Sequence, residues 1–218
     1  NSLLLGDSQG DSSGTATGTL NMGGGSFLVN NNVTIGSRTG TNGNGTGILN
    51  LTGGTFTVGG NITTSNSANA NSTVTLDGGT LDMTGGSIST DTLNARSGGL
   101  QNVAQLFTGD GATVANLTKI TTGTLTIAGV NNYTGATNVN QGVLVLAGGA
   151  GIEDSILTTV AADATLDIAG TGTIGTVATG ALLFDSDSIL AADLVLTGSP
   201  TQRLDRINLS GDLDITAG

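Results

Sequence analysis

Apolar and polar residues alternate in three segments near the N-terminus, residues 20–35, 49–64 and 74–88. Each segment runs apolar-x-apolar, then a glycine pair, then apolar-x-apolar, and ends in a turn and another short apolar stretch. A period of two residues is typical of strands that bury one face. No window shows a sustained 3.6-residue apolar period, so the pattern predicts strands and no significant helix.

The three segments are copies of one pattern. The first two align without a gap at a spacing of 29 residues, and the third follows at a spacing of 25. Repeats of this length built from strand-like units indicate a solenoid, in which each copy covers the apolar face of its neighbour. The alignment predicts two inward columns of core residues: Leu20, Leu49 and Val74 in one, and Phe27, Phe56 and Leu81 in the other.

We therefore predict an all-β fold, a right-handed parallel β-helix (β-solenoid) of roughly nine coils. At roughly 4.8 Å of rise per coil, this rod is about 40 Å long. Residues 1–218 form a single solenoid, with Asn/Gly/Thr-rich coils over 1–90, irregular coils over 91–116 and a sharper repeat over 117–218. The 38 glycines and single proline suit frequent corners and an unbroken hydrogen-bond ladder.

Charge excludes two classes of partner. The formal net charge is −11, from 16 acidic and 5 basic side chains, and only 2% of residues are aromatic. Nucleic acids and anionic lipids need a basic patch, and single-stranded nucleic acids also need stacking surfaces. We expect no nucleic-acid partner and, since the chain has no transmembrane run, no direct membrane insertion. The chain begins with Asn1 and shows no signal peptide, so we expect a piece of a longer protein.

Catalytic chemistry is sparse, because the chain has no histidine and no cysteine. Disulfides, zinc sites and imidazole bases are excluded, and we predict no cofactor. Carboxylate pairs could serve as a glycosidase acid and base or hold calcium, but strand-like spacing favours solvated positions on ordinary strands. We predict no catalytic and no metal-binding residue among these pairs: Asp163 and Asp167, Asp185 and Asp187, and Asp212 and Asp214.

Threonine pairs raise another possibility, a flat threonine array of the kind that binds ice. Thr55 and Thr57 follow the glycine pair of their copy, whereas Thr73 and Thr75 precede it. The pairs therefore belong to different walls of the solenoid, and this register disfavours an ice-binding array.

A motif begins at residue 117. It consists of residues 117–119, Gly-Thr-Leu-Thr-Ile at 123–127, Asn-Tyr-Thr-Gly at 132–135, and Gly-Val-Leu-Val-Leu at 142–146. This stretch resembles the autotransporter-associated β-strand repeat of bacterial type V secreted proteins, although Gly-Ala-Thr at 135–137 departs from the usual Gly-Gly-Thr. Residues of the motif that we expect to be structural are Lys119, Gly129, Asn132, Tyr133, Gly135 and Gly142. For Tyr133 a ligand-stacking role is the alternative to packing.

The resemblance implies an extracellular protein of the bacterial cell surface, whose coils fold one on another outside the cell and help to draw the chain through its transporter. We expect a structural segment of such a passenger, a stalk or adhesin-like scaffold without catalysis. Two alternatives stay open, a self-assembling filament subunit that stacks end to end and, less favoured, a carbohydrate-active β-helix enzyme.

The ends of the chain show no cap, since a strand pattern begins at Leu3 and continues to Ile215. Open ladder ends template pairing. The expected partners are therefore further solenoid coils or identical subunits at the open ends, and in addition host or matrix surface glycans.

Overall fold

The computed structural model describes residues 1–9, 13–65, 68–109, 111–194 and 204–215. These residues form strands and no helix, which confirms the all-β prediction. Consequently no helix with the length and apolarity to cross a bilayer occurs among them. The strands are β1 (Leu3–Ser8), β2 (Thr15–Val29), β3 (Val33–Arg38), β4 (Asn44–Val58), β5 (Ile62–Thr63), β6 (Ala70–Asp82), β7 (Ser87–Ser89), β8 (Thr92–Gln101), β9 (Gln105–Phe107), β10 (Leu117–Lys119), β11 (Thr124–Ala128), β12 (Thr137–Val139), β13 (Val143–Ala147), β14 (Gly151–Val160), β15 (Thr165–Ala169), β16 (Thr176–Phe184), β17 (Ile189–Ala191), β18 (Arg206–Leu209) and β19 (Leu213–Asp214).

The named strands pair in parallel, each with strands one repeat before or after it. β1, β3, β5, β7 and β9 form one ladder. The long strands β2, β4, β6 and β8 form a second sheet, which divides after β8 into a branch through β10, β12 and β14 and a branch through β11, β13 and β15. This curled arrangement of parallel strands is consistent with a β-solenoid; its right-handedness and its roughly nine coils stay predictions.

Each long strand has a first part that aligns with the β10 branch and a second part that aligns with the β11 branch. A glycine pair bends the strand between these two parts. In β4 the bend lies at Gly53 and Gly54, and Gly54 has a φ of +75°, which suits glycine better than other residues. A Cβ at Gly53 would lie 2.5 Å from the carbonyl oxygen of Gly23 in the neighbouring strand. After β8 the bend widens into a turn over residues 120–123, which separates β10 from β11. The glycine pair and the later turn therefore occupy equivalent positions in successive repeats.

The residues of the two predicted columns lie opposite one another in register. Leu20 pairs with Leu49 and Leu49 with Val74, while Phe27 pairs with Phe56 and Phe56 with Leu81. Four of the six side chains are fully buried, Leu20 is half-buried, and Phe27 is 43% exposed. Phe27 is exposed because β2 has a pairing partner on one side only among the described strands. The column that begins at Phe27 continues into the repeat through Leu100, Ile127, Leu146 and Ile168.

The segment predicted to be irregular contains both regular and irregular structure. β8 pairs with β6 over most of its length. The chain then leaves the parallel ladder after β9, and an antiparallel bridge joins Phe107 to Val114. The amide of Thr108 donates to the carbonyl of Thr113 at 2.8 Å, which closes a short hairpin excursion before β10. This excursion interrupts the parallel ladders.

Candidate functional site

Lys119 is a cation within an apolar column. It is 1% exposed and pairs with Ala95 on one side and Val139 on the other. Its Nζ donates to the carbonyl oxygen of Thr121 and, at 3.1 Å, to that of Gln141. Burial lowers the pKa of the Lys119 ammonium, and the negative charge of Asp77 opposes that shift. Lys119 therefore joins two successive corners of the parallel-strand array from its buried side.

Tyr133 begins a buried chain of hydroxyl groups. The Tyr133 side chain is fully buried, and its hydroxyl lies 2.9 Å from Thr137 Oγ1. Thr137 Oγ1 lies 3.0 Å from Ser155 Oγ, which donates to the carbonyl oxygen of Gly135 at 2.8 Å. Burial raises the pKa of the Tyr133 phenol. Because its ring is not accessible to solvent, Tyr133 packs in the core and offers no stacking surface to a ligand.

Three glycines of the motif lie where a side chain would collide with backbone or side-chain atoms. A Cβ at Gly135 would lie 2.0 Å from the carbonyl oxygen of Ala115. At Gly129 it would lie 2.1 Å from Asn102 Oδ1, and at Gly142 it would lie 2.4 Å from the carbonyl oxygen of Thr121. Gly129 and Gly142 also have φ values of +67° and +69°, which L side chains rarely adopt. The motif glycines thus permit close approach of adjacent repeats.

The buried amide at the neighbouring corner belongs to Asn131, which the sequence analysis did not select. The side chain of Asn132 is exposed, and its backbone amide donates to the carbonyl of Val103. Asn131 is buried; its Oδ1 accepts from the amide of Val103 at 3.0 Å, and its Nδ2 donates to the carbonyl of Ala128 at 3.0 Å. Asn61 uses its Oδ1 in the same way for the amide of Ser87, so recurrence of asparagine at this corner was the available signal.

Asp163 and Asp167 lie in separate environments, whereas Asp185 and Asp187 line one pocket. Asp163 and Asp187 each adopt positive φ in a turn, whereas Asp167 is buried in β15. Asp185 precedes the turn that contains Asp187, and its carbonyl accepts from the hydroxyl of Ser188. Within the described ranges, no group of three or more acidic side chains could hold a metal ion.

Asp167 belongs to a set of acids that stabilises the loop following β15. Asp193 Oδ2 accepts from the amides of Gly172 and Thr173, and Asp205 Oδ1 accepts from the amide of Gly175 at 2.8 Å. Asp167 Oδ2 accepts from the hydroxyl of Thr171 at 3.3 Å. Burial raises the pKa of the Asp167 carboxyl, and the negative charges of Asp193 and Asp205 raise it further. Sequence spacing alone could not reveal this set, because Asp205 is distant along the chain.

Replacing Asp167 with asparagine is expected to stabilise the protein at pH 7. The folded state raises the pKa of Asp167 above its ordinary value of 3.8, so the folded state binds this proton more tightly than the unfolded chain. Its contribution is favourable at low pH and is lost as the pH rises through the folded pKa. Urea unfolding should therefore give a higher midpoint for Asp167→Asn at pH 7, with the gain shrinking as the pH falls towards 3.8. Asp154→Asn, at an exposed position, is the control. A lower midpoint for Asp167→Asn at pH 7 would contradict the prediction.

Taken together, the motif residues form a cross-repeat packing site in a solenoid-like array of parallel strands. Their polar groups bond to one another and to corner carbonyls rather than to an open cavity. Residues 117–146 match the family model described as the passenger-associated-transport-repeat. The chain thus carries an autotransporter passenger repeat, which confirms the resemblance and implies export to the bacterial surface. Comparison with curated proteins and with solved structures gives no significant match.

Proposed function

We propose that the chain is a structural segment of an extracellular bacterial passenger, a stalk or adhesin-like scaffold without catalysis. The observation that supports this most directly is the column from Phe27 to Ile168, which runs unbroken into the passenger repeat. One apolar core thereby joins both halves of the chain. Each repeat gains its buried surface from its neighbours, as a rigid spacer requires.

Cross-repeat polar contacts support the same proposal. Lys119 and Asn131 each bond to a neighbouring repeat, and Tyr133 bonds to Thr137, which in turn contacts Ser155 of the next repeat. None of the three side chains presents its polar atoms to solvent. The net charge of −11 favours a soluble surface outside the cell. The matched repeat family is associated with export. A repeat array can fold by adding each repeat to those already formed, which fits a chain that leaves the cell progressively.

Electron microscopy of the purified chain tests the scaffold proposal. We expect discrete short rods. A parallel assay should find no hydrolysis of a polysaccharide panel. Hydrolytic activity that disappears in Asp185→Asn or Asp187→Asn would contradict the scaffold and support the carbohydrate-active alternative.

A filament subunit is the second candidate, and exposed apolar residues on the outer strands favour it. Leu28 in β2 is 63% exposed, while Leu190 and Leu213 are also exposed on β17 and β19. Strands with one unpaired side can add further strands from another molecule. Fibres in the same micrographs, abolished by Leu28→Asp, would favour this candidate over the stalk.

Export can be tested separately from shape. The chain joined to a transporter barrel in a Gram-negative host should be accessible to an added protease at the cell surface. An equally expressed chain that stays inside the cell would contradict the proposed location.

A further inference from the structure

A cavity of about 150 Å³ lies between β9 and β10, where the hairpin excursion leaves the ladder. Apolar side chains of Ile88, Leu93, Leu106 and Phe107 form part of its lining. Pockets for drug-sized ligands occupy about 300–1,000 Å³, so this cavity suits a much smaller group, the size of one sugar ring. Its remaining side-chain lining is polar apart from Ala115: Thr90, Asp91, Thr108, Asn116 and Thr118.

Two polar side chains of this lining each have one atom without a hydrogen bond to the residues that the structure describes. Asp91 Oδ2 accepts from the amide and the hydroxyl of Ser72, whereas Asp91 Oδ1 makes no hydrogen bond to any residue that the structure describes. A Cβ at Gly109 would lie 1.9 Å from Asp91 Oδ1, so this oxygen packs against Gly109. Asn116 Oδ1 accepts from the amide of Ala136 at 2.9 Å, whereas its Nδ2 donates to none of the described residues. One carboxylate acceptor and one amide donor therefore line the same cavity.

An acceptor and a donor on the lining of one cavity suit a hydroxylated ligand. Every hydroxyl both donates and accepts, so neighbouring hydroxyls can satisfy Asp91 Oδ1 and Asn116 Nδ2 together. The apolar lining suits the carbon face of a sugar ring, and aromatic side chains such as Phe107 commonly supply large contact area in such sites.

Charge selects among sugars. Asp91 is the charged side chain among the lining residues that the structure describes, and the chain as a whole carries a net charge of −11. Burying a carboxylate or sulfate beside Asp91 without a cation would be unfavourable. Acidic sugars are therefore disfavoured relative to neutral ones.

We propose that this cavity binds one neutral sugar residue of a surface glycan, held by Asp91 and Asn116. The proposal rests on the adhesin-like form of the function given above, and it supplies the scaffold with a specific recognition site. A ligand with about a dozen heavy atoms should bind with a Kd on the order of 1 mM, and several copies on one glycan would strengthen attachment.

Ligand-observed NMR with the purified full chain tests the site. The probes are glucose, galactose, mannose and N-acetylglucosamine, with glucuronic acid and glucosamine as acidic and cationic counterparts. Asp91→Asn keeps an oxygen for Ser72, and Asn116→Asp keeps the acceptor for Ala136. Each variant therefore keeps the hydrogen bond to its protein partner and replaces the group that is proposed to bind the sugar. At least one neutral sugar should bind, and each variant should weaken it about tenfold, the effect of losing one good hydrogen bond.

Controls separate the site from the fold and from the proposed function. Asp154→Asn removes an exposed carboxylate elsewhere and should leave sugar binding unchanged, while equal urea midpoints would show that the site variants remain folded. Binding of no neutral sugar, binding of glucosamine alone, or binding that both site variants retain would overturn the proposal. If rods and surface export persist in that case, the scaffold function stands and the sugar site alone is wrong.

Discussion

Replacing Phe56 with alanine is expected to lower the free energy of unfolding by about 3–5 kcal/mol. Phe56 is fully buried, and its ring stacks on that of Phe27 with centroids 5.4 Å apart and planes inclined by 5°. On its other side it pairs with Leu81. Truncation would remove contacts to both neighbours and leave a cavity that the strand backbones cannot close. Urea unfolding followed by far-UV circular dichroism measures the loss.

Phe27→Ala is the matched control, because it removes the same side chain from the same column at an exposed position. Its cost should be only about 1–1.5 kcal/mol, since Phe27 is already 43% exposed. Equal losses for the two variants would show that burial along this column does not set the stability. A stabilised Phe56→Ala would refute the predicted register of the core.

Gly142→Ala is expected to cost about 2–5 kcal/mol. Part of this, about 1–2 kcal/mol, comes from placing an L side chain at a φ of +69°. The remainder, about 1–3 kcal/mol, comes from collision, because the new Cβ would lie 2.4 Å from the carbonyl oxygen of Thr121 and 2.6 Å from that of Gly123. The Thr121 carbonyl also accepts from Lys119 Nζ, so relief of the collision would disturb that contact.

Gly149→Ala separates the two contributions. Gly149 has a φ of +82°, but a Cβ there would meet no atom within 4 Å. Its replacement should therefore cost only the backbone strain, about 1–2 kcal/mol. Paired urea unfolding of the two variants gives the collision energy as a difference. If the two variants lose the same stability, close approach of repeats at Gly142 is not required.

The same pair of variants connects stability with export. If folding outside the cell helps to draw the chain through its transporter, Gly142→Ala should reduce surface exposure of the barrel fusion more than Gly149→Ala. Equal exposure at equal expression would separate folding of this segment from export.

The fold class and the repeat could be predicted from residue order alone. Alternation at a period of two identified strands, and recurrence of the glycine pair aligned Leu20, Leu49 and Val74 with partners that the structure places opposite one another. Both signals are local and periodic, so they survive in a single sequence. The motif at 117–146 likewise appeared directly in the residue order, and the family match agrees with it.

The environment of individual side chains depends on how the repeats pack, and residue order did not reveal it. Exposure of Phe27 depends on whether another strand covers it, and burial of Asn131 in place of Asn132 depends on which side of a corner faces the core. The acids Asp167, Asp193 and Asp205 meet around one loop, and Asp91 and Asn116 line one cavity, although each set is dispersed along the chain. These contacts arise from stacking of repeats of unequal length, which no local pattern encodes.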